Sequence, residues 1–260
     1  MLIKQIQTYY LFGSGKFVAK RNIHIYLPPD YYQDRSKRFP VLYMQDGQNL
    51  FNPRTSFAGV AWQIDKTAQE LILKKKISSL IIVGIDNSGE QRINEYTPIA
   101  SNKTGGKADK YSQMLIYELK PFIDHHYRTL PEREFTGLGG SSLGGLFSLY
   151  LGIKRPDVFS RLAIMSPSLW WADGFILREV LALPSKQKLR VWLDIGKREG
   201  RYIKNQARLL QKIMIKKGWK KHRNDKLADF RYLEAPKAGH NEFSWGERFG
   251  KVLKFLFPIV

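Results

Sequence analysis

The chain has 260 residues, 43 Lys and Arg against 23 Asp and Glu, a formal charge of +20 and no cysteine. A hydrophobic share of 43% with 13% aromatics is enough to bury a core and excludes an intrinsically disordered chain. The missing thiol excludes cysteine nucleophiles, Cys-ligated zinc, iron–sulfur clusters and disulfides, while the charge raises two questions, nucleic-acid binding and attraction of anionic substrates.

From Met1 to Gly15 the residues alternate, with Ile3, Ile6, Tyr9 and Leu11 among Lys4, Gln5, Gln7 and Thr8. That pattern lacks the unbroken apolar run of a signal peptide, and no stretch reaches the ~20 apolar residues of a membrane span. A soluble, cytoplasmic protein without a membrane partner is expected. No repeat, low-complexity linker or composition break divides the chain, so a single domain over residues 1–260 is expected as well.

Short β-rich runs alternate with longer helical ones, the pattern of a layered α/β domain with a mostly parallel sheet. Residues 17–27 alternate through Val18, Ile23, Ile25 and Leu27 and stop at Pro28-Pro29, which predicts an antiparallel strand. Residues 40–44 form a short apolar run, the mark of a strand buried on both faces, and lead into the turn cluster Asp46-Gly47-Gln48-Asn49. Residues 61–73 carry Ile64, Ala68, Leu71 and Ile72 at helical spacing and finish in Lys74-Lys75-Lys76, cations suited to a helix C-terminus. A second buried strand is predicted over 80–85, followed by a polar loop over 86–110 long enough to be functional or mobile. Residues 111–127 read as a helix that Pro121 kinks or splits. Further strands are predicted over 135–139, 161–165, 189–195 and 230–233, with helices over 143–153, 174–183, 202–217 and 242–257.

Gly140-Ser141-Ser142-Leu143-Gly144 fits G-x-S-x-G with Ser142 at its centre. The match lies between a predicted strand and a predicted helix, the context in which a serine stands on a sharp turn with its hydroxyl above the sheet. Gly140, Gly144 and Gly145 leave room for such a turn, and the Leu143 amide then points, with the helix N-terminus, to where an oxyanion would form. The competing reading is a glycine-rich helix entry with a serine cap.

Hydrolases of this kind present serine, acid and histidine in that chain order. Two histidines follow Ser142. His222 lies in Lys220-Lys221-His222-Arg223, where neighbouring cations disfavour an imidazolium; His240 opens the loop before the last helix and is the better base. His24 and the pair His125-His126 fail the order. Sites in open α/β sheets lie beyond the carboxyl ends of the strands, which selects Glu199, just past the strand at 189–195, with Asp194 inside that strand as the alternative acid. Glu199 has a competing reading as a surface partner of Lys197 or Arg198. A second oxyanion donor is expected from the loop after an early strand, here the amide of Gln48 or Gly47, where an ordinary Asp-Gly turn is the competing reading. The phosphate-loop pattern fails at Tyr10 and no H-E-x-x-H occurs, so neither metal nor cofactor is expected.

The runs Tyr43-Met44-Gln45-Asp46-Gly47-Gln48-Asn49-Leu50-Phe51, Val83-Gly84-Ile85-Asp86-Asn87, Arg92 with Glu95-Tyr96-Thr97-Pro98, Gly140 to Gly145, Ser166-Pro167-Ser168 with Trp170-Trp171, and Gly239-His240-Asn241 stand in one order along the chain. From about Ile23 to Phe257 the sequence resembles an esterase family of α/β-hydrolases that includes enterochelin (siderophore) esterases, S-formylglutathione hydrolase (esterase D) and feruloyl or acetyl carbohydrate esterases, and most of all its enterochelin-esterase-like group. The resemblance implies an α/β-hydrolase fold, a triad of Ser142, Glu199 and His240, and a pocket for the acyl or alcohol group bordered by Arg92, Tyr96, Trp170 and Trp171.

The expected activity is therefore that of a serine carboxylic-ester hydrolase working through an acyl-enzyme, with Leu143 and Gln48 as oxyanion donors. Its expected partner is a small, siderophore-type or carbohydrate-type ester, which the overall charge would favour in anionic form. An acyltransferase or thioesterase on the same scaffold is the first alternative. A basic nucleic-acid-binding protein is the second, drawing on Lys216-Lys217-Gly218-Trp219-Lys220-Lys221-His222-Arg223, where an aromatic lies among cations. No specific nucleic-acid partner is expected, because the charge is scattered and no nucleic-acid fold motif occurs.

Overall fold

The computed structural model describes residues 5–222, 224 and 227–259. Ile3 and Lys4 of the alternating N-terminus, and Arg223 of the basic run, lie outside them. In chain order the strands are β1 (Ile6–Phe12), β2 (Arg21–Tyr26), β3 (Val41–Gln45), β4 (Ile81–Ile85), β5 (Ala100–Ser101), β6 (Thr104–Gly105), β7 (Thr136–Ser141), β8 (Arg161–Met165), β9 (Arg190–Gly196) and β10 (Phe230–Ala235). The α-helices are α1 (Ile64–Leu73), α2 (Arg92–Tyr96), α3 (Ala108–Met114), α4 (Lys120–His126), α5 (Leu143–Lys154), α6 (Trp171–Ala182), α7 (Arg201–Lys216) and α8 (Glu242–Leu256).

Eight strands form one sheet in the order β1-β2-β4-β3-β7-β8-β9-β10. β2 runs antiparallel to both β1 and β4, and every pairing from β4 to β10 is parallel. The central strands are buried on both faces, and their side chains divide by the period of two. In β3, Val41 and Tyr43 enter one core with side chains of α3, α5, α6 and α7, while Leu42 and Met44 enter the other with α1 and α8. Both faces are thus sealed by helices, and the carboxyl ends of β3, β7, β8 and β9 open onto one edge of the sheet. A parallel α/β sheet binds its ligands at that edge.

The predicted strands and helices are present, with ends moved by a few residues. β1 is an addition: the alternating residues pair Ile6 with Tyr26 and Tyr9 with Ile23 as an edge strand. The segment expected as a loop over 86–110 is folded into a short turn, α2 and the β5–β6 hairpin. Burial drives this, because Tyr96 is fully enclosed and Arg21 forms a buried ion pair with Glu95 at 2.9 Å. Pro121 does not split its helix. A π-helical turn at Leu115–Leu119 joins α3 to α4 just ahead of it, and the wider turn accommodates the ring and the missing donor. Trp219, the aromatic of the basic run, is buried and donates its Nε1 hydrogen to Leu189 O at 3.2 Å, so it offers no face for a base to stack on. Among the described residues no helix is long and apolar enough to cross a membrane.

Candidate active site

The turn from β7 into α5 holds Ser142 at φ 55°, ψ −123°, a conformation that costs a non-glycine residue about 1–3 kcal/mol. Backbone bonds fix it there: the Ser142 amide donates to Met165 O at 3.1 Å, and the amides of Leu146 and Ser168 donate to Ser142 O, each at 3.0 Å. The turn is also too tight for side chains on its flanks. A Cβ at Gly140 or at Gly144 would lie 2.9 Å from the Cβ of Gln45. The Ser142 hydroxyl rests 3.3 Å from the Ser168 hydroxyl.

The second wall comes from the end of β3. Asp46 adopts a left-handed backbone at φ 57° and starts a 3₁₀ turn over Gly47–Asn49. Its amide donates to the Tyr96 hydroxyl at 3.2 Å, and its carboxylate receives Arg92 Nε at 2.7 Å, Arg92 Nη2 at 2.8 Å and Asn87 Nδ2 at 2.7 Å. Burial disfavours the Arg92 cation, but Asp46 outweighs it and holds the guanidinium firmly charged. Gln48 is anchored from both sides: its Oε1 accepts from the Asn87 amide at 3.2 Å and its carbonyl from Thr55 Oγ1 at 2.8 Å. Among the described residues neither the Gln48 nor the Leu143 amide has an acceptor within the protein.

The third wall is the loop from β10 into α8. His240 precedes Asn241, whose Oδ1 caps α8 by accepting from the Ser244 amide at 2.9 Å. The imidazole packs edge-on against Trp245, 4.9 Å between ring centres, and its Nδ1 lies 2.8 Å from Glu199 Oε2. The other Glu199 oxygen accepts from Ser166 Oγ at 2.6 Å and from the Gly196 amide at 2.7 Å. Burial pushes the Glu199 carboxyl up, yet the bonds from His240, Ser166 and Gly196 prevail and hold it below its ordinary range. Ser166 is itself clamped, accepting from Trp245 Nε1 at 3.0 Å and Arg248 Nη2 at 2.9 Å. Arg248 also reaches Asp194 Oδ1 at 2.9 Å, and Trp192 Nε1 donates to Asp194 Oδ2 at 2.7 Å.

Ser142 and His240 line one cavity of about 370 Å³, shared with Asp46, Gln48, Asn49, Phe57, Asn87, Arg92, Ser141, Glu242 and Trp245. No hydrogen bond joins Ser142 to His240, and catalytic contacts of this kind often tighten only as substrate binds. A hydroxyl at a helix start, an imidazole tied to a carboxylate and two unengaged amides are the parts from which acyl transfer is built.

Of the residues singled out in the sequence, Ser142, His240, Gln48 and Arg92 meet at this cavity, with Leu143 next to Ser142 and Glu199 behind His240. Glu199, not Asp194, stands against the imidazole, because Asp194 is enclosed with Arg248 and Trp192, where burial keeps its carboxyl above the ordinary range. Three of the residues expected at the pocket do not line this cavity. Tyr96 is fully buried beneath the cavity floor, its ring 5.1 Å under the Arg92 guanidinium and 5.8 Å from Phe147. Trp170 and Trp171 line a separate cavity with Ser101, Asn102, Thr104 and Asp173, where Trp171 Nε1 donates to Ile99 O at 2.9 Å. His222 bonds locally to the Asn224 amide, and His24 lies 2.9 Å from Asp86 in another cavity. Among the described residues no group of His, Asp and Glu side chains is gathered to hold a metal ion.

Roles missed in the sequence belong to Asp46, Ser166, Arg248 and Glu242. Three of them carried a signal. Asp46 and Ser166 follow directly on strands β3 and β8, at the edge where α/β sites form. Arg248 carried another: Trp245, Arg248, Phe249 and Val252 share one helical face, so a cation occupies an apolar position.

A family model described as Putative esterase matches residues 14–256. The uncharacterized protein YbbA of Bacillus subtilis is 29% identical over 219 residues, covering 82% of this chain and 80% of that protein. The ferri-bacillibactin esterase BesA of Bacillus subtilis is 26% identical over 201 residues, covering 69% of this chain and 66% of its own. Among solved structures, the BES protein from Bacillus cereus matches with a TM-score of 0.74 at 24% identity, over 100% of this chain and 97% of that one. That likeness is one of fold: the mostly parallel sheet flanked by helices is α/β-hydrolase-like.

Proposed function

The chain belongs to the family described as Putative esterase, and from that premise we propose that it is a serine carboxylic-ester hydrolase working through an acyl-enzyme. The observation that carries this reading is the shared cavity: Ser142, strained on its turn, faces the same space as a His240 whose Nδ1 is tied to Glu199. Ser142 Oγ attacks the ester carbonyl carbon and gives its proton to His240 Nε2. Glu199 fixes the imidazole by Nδ1 and stabilises the cation that forms. The carbonyl oxygen, now negative, takes hydrogen bonds from the Leu143 and Gln48 amides. Collapse breaks the bond to the alcohol, which leaves with the proton from Nε2. Water then adds to the acyl group, His240 takes one of its protons, and the acid departs as Ser142 is restored.

A small ester of the siderophore or carbohydrate type is the proposed substrate; the relative BesA, by its name, is an esterase for ferri-bacillibactin. A fluorophosphonate probe followed by peptide mapping tests the reading. The expected adduct is on Ser142 and is absent from Ser142→Ala; labelling of another residue would overturn the assignment. Product analysis with a competing alcohol separates hydrolysis from acyl transfer, with free acid as the expected product.

A further inference from the structure

Two carboxylates line the cavity without a part in the proposed chemistry, Asp46, which is paired with Arg92, and Glu242. Glu242 is the first residue of α8, two positions after His240, and it lines the cavity together with Ser142. Its carboxylate accepts a long hydrogen bond of 3.4 Å from Asn49 Nδ2 and one from its own backbone amide, and among the described residues no Lys or Arg nitrogen lies within ion-pair distance of it. The charged or titratable groups facing it are Asp46, Arg92 and His240. Of these, Arg92 is gripped by both oxygens of Asp46, so the cation and its carboxylate largely cancel. The cavity is left with a negative balance although the whole chain carries +20.

We infer that Glu242 makes this cavity select esters that carry a positive charge, such as an ammonium group, close to the scissile bond. The inference rests on the esterase reading and reverses the preference that the overall charge suggests. Burial, with Asp46 nearby, raises the Glu242 carboxyl above its ordinary range, so a partly buried carboxylate that is hydrogen-bonded but has no cation within ion-pair distance gains from an incoming one. The competing role is structural, an acid in the first turn of a helix that favours the positive end of its dipole. That role does not depend on the charge of the substrate.

The test compares two isosteric esters, an acylcholine and the corresponding 3,3-dimethylbutyl ester, at about pH 8 and low salt. In the wild type the ratio of kcat/KM is expected to favour the cationic ester by about fivefold. Glu242→Gln keeps size and hydrogen bonding and is expected to bring the ratio to about one, Glu242→Asp to keep part of it, and added salt to reduce it. A ratio unchanged by Glu242→Gln, or a wild type that favours the neutral ester, overturns the inference. Ser142→Ala separates the two readings: if it hydrolyses both esters at wild-type rates, the assignment of Ser142 as nucleophile has failed and not the charge preference, whereas a wild type that hydrolyses neither ester removes the esterase reading itself.

Discussion

His240 Nδ1 lies 2.8 Å from one oxygen of Glu199, and the other oxygen is held by Ser166 and the Gly196 amide. The carboxylate is thereby oriented from two sides, so that one lone pair faces the imidazole. An amide at this position would present the wrong group to Nδ1 and would not stabilise an imidazolium. Glu199→Gln should lower kcat by about 10⁴-fold, with a smaller change in KM. Steady-state kinetics on a chromogenic acetyl ester measures it, and a loss below tenfold would remove Glu199 from the proposed triad.

The same hydrogen bonds bear on stability. The Glu199 carboxyl sits below its ordinary value of 4.5 in the folded protein, so the native state binds fewer protons there than the unfolded chain. Its stabilising contribution is complete above that ordinary value and is lost as pH falls through the lower folded value. The difference in melting temperature between wild type and Glu199→Gln should therefore shrink between about pH 6 and about pH 3. A difference that stays constant over that range contradicts the linkage.

Arg248 and Asp194 form a buried pair, 4% and 0% exposed in their side chains, and Arg248 also steadies Ser166. Removing one partner strands the other. Arg248→Met should cost about 3–5 kcal/mol in urea unfolding, whereas replacing both, with Asp194→Leu, should cost less than the single change. Equal losses would mean that the charges are not energetically coupled.

At Gly144 two effects compete. Alanine is the better helix former by about 1 kcal/mol, but its Cβ would lie 2.9 Å from Gln45 Cβ and 3.2 Å from Asp46 Oδ2. Overpacking of this kind costs about 1–3 kcal/mol, and both contacts are with the wall that carries Gln48. Gly144→Ala should be less stable than wild type and should lose activity on every ester tested. A gain in stability with unchanged kcat would show that the turn has room to spare.

The sheet and helices were legible because each buried strand is a short apolar run and each helix has its own period. β1 was not, since an edge strand with half-exposed residues needs little hydrophobic signal, and its pairing with β2 is visible only in space. Folding of the segment after β4 depends on the buried pair Arg21 and Glu95, 74 positions apart, which no local pattern announces. At the site, Ser142, Glu199 and His240 could be picked out because strand ends and chain order restrict where such groups stand. Tyr96, Trp170 and Trp171 lie outside the lining of the Ser142 cavity, which no local pattern announces, because an aromatic beside a motif looks the same in sequence whether it faces a cavity or supports its floor. Arg92 shows the reverse case: it does reach the cavity, but Asp46 already occupies it.

The central claim is that Ser142 carries the acyl group. Mixing the enzyme with excess 4-nitrophenyl acetate and quenching within the first turnover should give an acetylated protein whose modification maps to Ser142, with Ser142→Ala slower in turnover by about 10⁴–10⁶-fold. An acyl group found on another residue, or wild-type turnover by Ser142→Ala, would contradict it.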